Sequence, residues 1–439
     1  MHQYVGELVD LTDPALNHLN DLSIEDARAR VLEGIPDAVR AISGSFAIIA
    51  RSGETVRIAR SLDRPVRYFL AKKVAGPALV VADRIDAIHD WLKSQGLADQ
   101  FHPNYTRMVP AHYITTIRIV GCPDPSPSYE RFVVPKPGTM PTDVDTIGRA
   151  YIGALSNEIG AWLQRIPAEA PIGVSFSGGI DSGSVFLVAA HAMRTLGLNL
   201  GRLKAFTLHA GDGPDLAQAR AFLDAVDMGL FLEPIGADLS TVDPSEVIRI
   251  TEDYKSLDVE CATMGIALMR GVRERYPDWR YLLDGDGGDE NMKDYPIEEN
   301  PELTIRSVVN NPLLYQEGWG VGTMKHSLTY SGGLSRSYVR TYAPARHFSF
   351  ESFSPYTRPA LVELAGSLPW DELSGMDVDR LYELKGEIVA AGVRAITGVE
   401  MPVFTKRRFQ HGAMDADALH HALPWSEAEY RRRFLALYP

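Results

Sequence analysis

The sequence predicts an α/β chain in two parts: a β-rich α+β segment, then a doubly wound parallel sheet with a helical C-terminal portion. Three observations carry this. Short alternating apolar segments separated by turn residues fill the chain to about Val134. From Pro171 onward strand patterns alternate with helical ones, which implies βαβ crossovers. Between them runs a proline-rich tract, from Cys122-Pro123-Asp124-Pro125 to Pro135-Lys136-Pro137-Gly138.

In the first part Ser45–Ala50, Val56–Ala59, Arg67–Leu70 and Ala78–Ala82 read as strands, with Arg51-Ser52-Gly53 as a turn. A helical pattern opens near Thr142. Ile172–Phe176 reads as the next strand, and the helix after it begins near Asp181. Ala205–Leu208, Leu230–Leu232 and Tyr281–Leu283 read as further strands, with helices at roughly 215–226 and 261–275. Beyond Asn300 the reading is mostly helical, interrupted at Gly318–Gly322 and Gly332-Gly333. Ligands of such a sheet bind beyond the carboxyl ends of its strands.

A length of 439 residues suits two domains, and 45% hydrophobic with 23% charged residues is ordinary for a folded protein. The 57 acidic against 44 basic residues leave a net charge of -13, which argues against nucleic-acid and anionic-membrane partners. Two cysteines, Cys122 and Cys261, make neither a disulfide framework nor a zinc pattern, so a reducing compartment is expected. With no leader pattern and no apolar stretch of spanning length, the expected location is cytoplasmic.

Ser177-Gly178-Gly179-Ile180-Asp181-Ser182 lies where a strand ends and a helix starts, so backbone N–H groups and the helix dipole converge on an anion-sized space. Ser177 and Ser182 add hydroxyl donors. Asp181 suits a phosphate only with a divalent cation between them, which implies Mg2+. For a lone Gly-Gly a plain turn would be the better reading. A second string, Leu283-Asp284-Gly285-Asp286-Gly287-Gly288-Asp289-Glu290, follows another predicted strand and lacks the ligand spacing of an EF-hand.

The six-residue loop resembles the pyrophosphate-binding loop of the ATP pyrophosphatases, which include asparagine, GMP and NAD synthetases, argininosuccinate synthetase and several tRNA thiolases. The resemblance implies an adenine nucleotide α-hydrolase-like (PP-loop) fold and cleavage of ATP to AMP and pyrophosphate. The acidic string is similar to that of asparagine and β-lactam synthetases, which implies that Asp289 shares Mg2+ with Asp181. Met401–Phe409 resembles their Arg-x-Lys-x-x-Phe region, implying that Lys406 stabilises charge developing on the acyl intermediate and pyrophosphate. Phe350–Tyr356 resembles their Glu-x-x-x-Pro-Phe segment and makes Glu351 a candidate for helping an amine lose its proton, with a structural salt bridge as the alternative. Lys385-Gly386-Glu387-Ile388 also resembles a family segment, and Lys385 reads as supporting.

By the same resemblance Val174, Ser175 and Phe206-Thr207-Leu208 would line the adenine and ribose pocket, and Gly285 would approach the nucleotide by its backbone. Apolar strand residues are more often core. Asp286 stands where asparagine synthetases carry glutamate and β-lactam synthetases tyrosine, which leans toward an ammonia or amine acceptor.

Gly44-Ser45-Phe46-Ala47, Arg60-Ser61-Leu62-Asp63-Arg64-Pro65 and Val81-Ala82-Asp83 resemble the glutaminase part of these enzymes. This implies an Ntn-hydrolase-like α+β sandwich over 1–135 and the synthetase over 140–439. Glutaminases of this type use an N-terminal cysteine, whereas this sequence reads Met1-His2 and has its first cysteine at Cys122. A scaffold without glutamine hydrolysis is expected. The implied function is amide formation from a small-molecule carboxylate and ammonia or an amine through an adenylate, with ATP and Mg2+. An intramolecular lactam-forming synthetase and an inactive nucleotide-binding or regulatory homologue are the alternatives. The family's habit of pairing suggests a homodimer.

Overall fold

A computed structural model of the chain describes residues 6–118, 127–211, 213–292, 341–375, 377–404, 412, 419 and 423–439. Among these, residues up to Val134 and Arg431–Pro439 form one compact unit, and those from Pro135 to Tyr430 form another.

The alternating segments of the first unit pair into two four-stranded sheets. One has the order β1 (Glu7–Asp10), β7 (Ala78–Ala82), β6 (Arg67–Ala71), β8 (Arg107–Met108); the other has β10 (Ser128–Arg131), β9 (Tyr113–Arg118), β5 (Thr55–Arg60), β4 (Ala47–Ser52). A short pair, β2 (His18–Leu19) and β3 (Gly44–Ser45), lies beside them in sequence. The period of two assigns the faces. Ala47, Ile49, Val56 and Ile58 of one sheet share a core with Tyr68, Leu79 and Val81 of the other. The alternate residues Phe69, Ala78, Val80 and Ala82 meet Ile88 and Leu92 of helix α3 (Ile85–Ser94). On the far side Arg57 of β5 donates to the Leu32 carbonyl of α1 (Ile24–Glu33), which the short α2 (Pro36–Arg40) follows. The layers therefore run helix, sheet, sheet, helix.

The second unit opens with α4 (Val144–Arg165), whose first turn is capped by the Asp143 carboxylate accepting from Thr146 N. Its sheet has the order β13 (Leu232–Gly236), β12 (Leu203–His209), β11 (Ile172–Ser175), β14 (Tyr281–Leu283), β15 (Glu351–Phe353), every pair parallel. Helices α5 (Ile180–Thr195) and α6 (Asp215–Ala225) cover one face, where Val185, Phe186 and Phe222 share a core with Ile152 of α4. After α7 (Pro244–Thr251), α8 (Ser256–Arg275) covers the other face, with Gly271 against Ile235. Strand order reverses between β11 and β14, so the ligand crevice of such a sheet falls there, at the carboxyl ends. Short α9 (Gly288–Met292) follows β14; α10 (Ala343–His347), α11 (Pro359–Ser367), α12 (Trp370–Ser374), the long α13 (Val378–Thr397) and α14 (Glu427–Ala436) complete the described helices.

The structure corrects the expected elements in three places. Leu230-Phe231 belongs to a 3-10 turn, with Leu230 fully exposed, and the strand begins at Leu232. Helix α8 starts at Ser256 rather than Cys261. Residues 351–353, in a region read as helical, form an edge strand too short to show a periodicity. Among the described residues no helix is long and apolar enough to cross a membrane.

Candidate functional site

The loop after β11 is shaped before any ligand meets it. Phe176 N still bonds to Phe206 O at 2.8 Å, continuing the strand pairing, and the chain then leaves the sheet. Gly178 has φ +71, and a Cβ there would lie 2.9 Å from the backbone of Ala219 in α6, so conformation and space both demand glycine. Gly179 is the N-cap of α5 and offers no side chain, which leaves the first-turn amides uncapped beside the positive end of the helix dipole. The Ser177 and Ser182 hydroxyls stand 3.3 Å apart, Ser177 N donates to Ser182 Oγ at 3.2 Å, and Gln218 Nε2 holds the Ser177 carbonyl at 3.2 Å. This is a fixed ring of donors open to an anion.

The acidic loop after β14 lies directly on this turn. A Cβ on Gly285 would be 2.7 Å from Ser182 N and 2.8 Å from Asp181 C and Cβ, and one on Gly288 would be 2.3 Å from Asp181 Oδ1. Only bare backbone allows the approach. Asp284 is buried and braces the loop, accepting from Asp286 N and from Ser354 Oγ, each at 2.9 Å. Asp286 Oδ2 accepts from Thr341 Oγ1 at 2.6 Å.

The two loops bring Asp181 and Asp289 to one ammonium. Lys385 Nζ, on α13, donates to Asp181 Oδ2 at 2.8 Å and also to Asp289 Oδ1. Lys385 is 3% exposed, so the three charges interact across little water. Burial raises the Asp181 carboxyl well above its usual range; Lys385 opposes that shift and Asp289 adds to it. Asp181 Oδ1 is sequestered without a hydrogen-bond partner, and a buried carboxylate oxygen of this kind suits a cation. Among the described residues no group of three or more metal-ligating side chains is assembled.

Behind the carboxylates, Ser184 Oγ donates to the Asp181 carbonyl at 2.8 Å and lies 2.7 Å from Tyr356 OH. Tyr356 stacks on Tyr151 at 5.6 Å, and Asn291 Nδ2 donates to Tyr356 O at 2.7 Å and to Tyr151 OH at 3.1 Å. Burial pushes both tyrosine hydroxyls upward, so they remain neutral.

Of the residues expected from sequence, Ser177, Gly178, Gly179, Asp181, Ser182, Gly285 and Asp289 converge here. Ser175 ends β11 beside them, its Oγ buried without a partner. Val174, Phe206, Thr207 and Leu208 are buried within the sheet. Their exposures are 0% to 4%, Phe206 packs on Trp279 at 4.9 Å, and Thr207 Oγ1 is spent on Phe176 O at 2.8 Å. A central parallel strand is buried on both faces, which is why these positions are apolar. Glu351 is not brought to the cluster: it starts β15, in register with Tyr281, and pairs with Arg280 at 3.3 Å. Lys406 lies outside the described residues.

Lys385, Tyr151, Ser184, Asn291 and Tyr356 were not assigned to the site from sequence, although Lys385 and Tyr356 sit in segments that resemble the family's. Residues 161–327 match the family described as asparagine synthase. That family comprises ATP-using ligases that bind small molecules. Comparison of the chain with curated proteins gave no match.

Proposed function

Since residues 161–327 belong to the asparagine synthase family, we propose that this chain activates a small-molecule carboxylate as its adenylate and passes it to ammonia or an amine. The observation that carries the reading is the convergence of Asp181 and Asp289 at the uncapped start of α5, across a contact that only glycines 285 and 288 permit. In this reading the first-turn amides of α5, with Ser177 and Ser182, hold the β- and γ-phosphates. Asp181 and Asp289 fit Mg2+, a hard cation that takes carboxylate oxygen, and Asp181 Oδ1 has no other partner. Bound there, the ion would neutralise charge on the phosphates. Lys406 would offset charge on the leaving pyrophosphate and the acyl group. The reaction joins the substrate carboxylate to the α-phosphorus with loss of pyrophosphate. The amine then displaces AMP and gives up a proton. Asp286, within the acidic loop, is our candidate for binding the incoming ammonium.

We assign the helix–sheet–sheet–helix first unit to the Ntn-hydrolase-like class, as a scaffold without glutaminase activity. Of the chain's two cysteines, Cys261 is buried in α8 of the second unit and Cys122 adjoins Pro123 within the chain, so neither offers an α-amine as base.

The test is to incubate the protein with Mg-ATP, ammonia and a panel of carboxylic acids and to separate the nucleotides. AMP with equimolar pyrophosphate, abolished by Asp181→Asn, is expected. ADP and orthophosphate as products would exclude adenylation.

A further inference from the structure

We propose that Lys385 is a placeholder cation, its ammonium filling the space between Asp181 and Asp289 in the nucleotide-free protein, so that a divalent ion enters only together with the nucleotide. The inference rests on the assignment of these two aspartates as the metal-binding pair. The lysine is locked in place. It projects from α13 between Leu384 and Ile388, both 0% exposed, and is itself 3% exposed, so its stem has little room to withdraw into water. Its ammonium engages one oxygen of each carboxylate, Asp181 Oδ2 and Asp289 Oδ1, so the space between the two side chains already holds a cation.

Charge decides the order of events. With both carboxylates ionised beside Lys385, the three groups sum to a single negative charge, compensated by hydrogen bonds at short range. A free divalent ion would have to displace the ammonium, leaving a buried cation without its partners, or share the site with it against direct repulsion. Asp181 Oδ1 has no hydrogen-bond partner, but one carboxylate oxygen is too few ligands to hold a divalent ion, and the oxygen that Asp289 would add is engaged by Lys385. A nucleotide changes the balance, because its phosphates bring the negative charge that lets two cations occupy one site. Lysine suits the role: its ammonium is a compact point charge with three donors.

Mn2+ is the probe, added to the full chain and followed by the electron paramagnetic resonance signal of the free ion. For wild type we expect no stoichiometric Mn2+ binding without nucleotide, and one site on addition of α,β-methylene-ATP. Lys385→Met should bind Mn2+ without nucleotide at least about tenfold more tightly than wild type, and Lys385→Arg should restore exclusion. Stoichiometric nucleotide-free binding of Mn2+ by wild type would overturn the proposal, and that result needs no variant. Lys385→Gln, which keeps a hydrogen-bond donor without the charge, is the second variant and should also gain the site. The double variant Asp181→Asn, Lys385→Met separates the two ideas. Loss of the gained site supports the placeholder, whereas undiminished binding places the ion elsewhere and removes the aspartate-pair assignment itself.

Discussion

Adding one methyl group at Gly285 tests whether the contact between the two loops is what makes the nucleotide site. In Gly285→Ala the Cβ would lie 2.7 Å from Ser182 N and 2.8 Å from Asp181 C and Cβ, against about 3.4 Å for an ordinary contact. All three atoms belong to the first turn of α5 and are backbone or directly attached to it, so the acidic loop itself must retreat by roughly 0.6 Å, a shift of the kind that costs about 1–3 kcal/mol in a packed region. The methyl would also cover the Ser182 amide, one of the donors assigned to phosphate, and a hydrogen bond to a charged group is worth about 1.5–3 kcal/mol. Loss of that bond alone predicts Mg–α,β-methylene-ATP binding weaker by about 10- to 100-fold, since 1.4 kcal/mol is a factor of ten. Isothermal titration calorimetry measures it directly. The control is Gly160→Ala in α4, where the new methyl meets nothing within 4 Å. That change should leave binding unaltered and stabilise the helix by roughly 0.5–1 kcal/mol. A folded Gly285→Ala protein that binds the analogue within threefold of wild type would refute the reasoning.

Two further outcomes follow from the geometry. Glu351→Gln should change the rate of pyrophosphate release by less than about threefold and stability by less than about 1 kcal/mol, because its partner Arg280 is 64% exposed and the pair is solvent-screened. A hundredfold loss of turnover would instead restore Glu351 to the chemistry. In the first unit, burial, then the guanidinium groups of Arg60, Arg131 and Arg40, lower the His112 imidazole from 6.5 to about 3. The unfolded chain takes the proton first, so the stability due to neutral His112 is complete above pH 6.5 and is lost as pH falls toward 3. From pH 7 to pH 5 the loss should be about 2 kcal/mol at 1.36 kcal/mol per unit. His112→Asn, which tolerates the φ of +65 at this position, should remove that slope in urea unfolding at the two pH values; an unchanged slope would count against the buried neutral imidazole.

The parts of the site legible in the sequence are those whose chemistry is local. Gly178, Gly179, Asp181 and Ser182 lie within one turn, and glycines and hydroxyls at the end of an apolar strand carry their meaning over five residues. The doubly wound sheet was legible for a similar reason, since β11, β12 and β14 are apolar runs set between helical patterns. Lys385 was not. Its partner Asp181 is 204 residues away, and Tyr356 lies 172 residues from Ser184, so each pairing depends on how α13 and the turn after β15 return to α5. Val174, Phe206 and Leu208 are ambiguous in the sequence for a different reason. An apolar residue on a central strand reads the same whether it lines a pocket or fills the core, and Phe206 is claimed by Tyr276 and Trp279.

Glu351 shows what a matched motif omits, which is the direction of the strand that carries it. Glu351 aligns with Tyr281, and Tyr281 with Ile172, so all three stand where the parallel strands begin. The phosphate loop and the acidic loop leave where the strands finish, three residues or roughly 10 Å further along. The same segment does reach the carboxyl edge a few residues later. There Ser354 donates to Asp284 and Tyr356 meets Ser184, bracing the acidic loop and the first turn of α5. The segment Phe350–Tyr356 thus meets the acidic loop and the first turn of α5 through its second half, at Ser354 and Tyr356, while Glu351 in its first half pairs with Arg280.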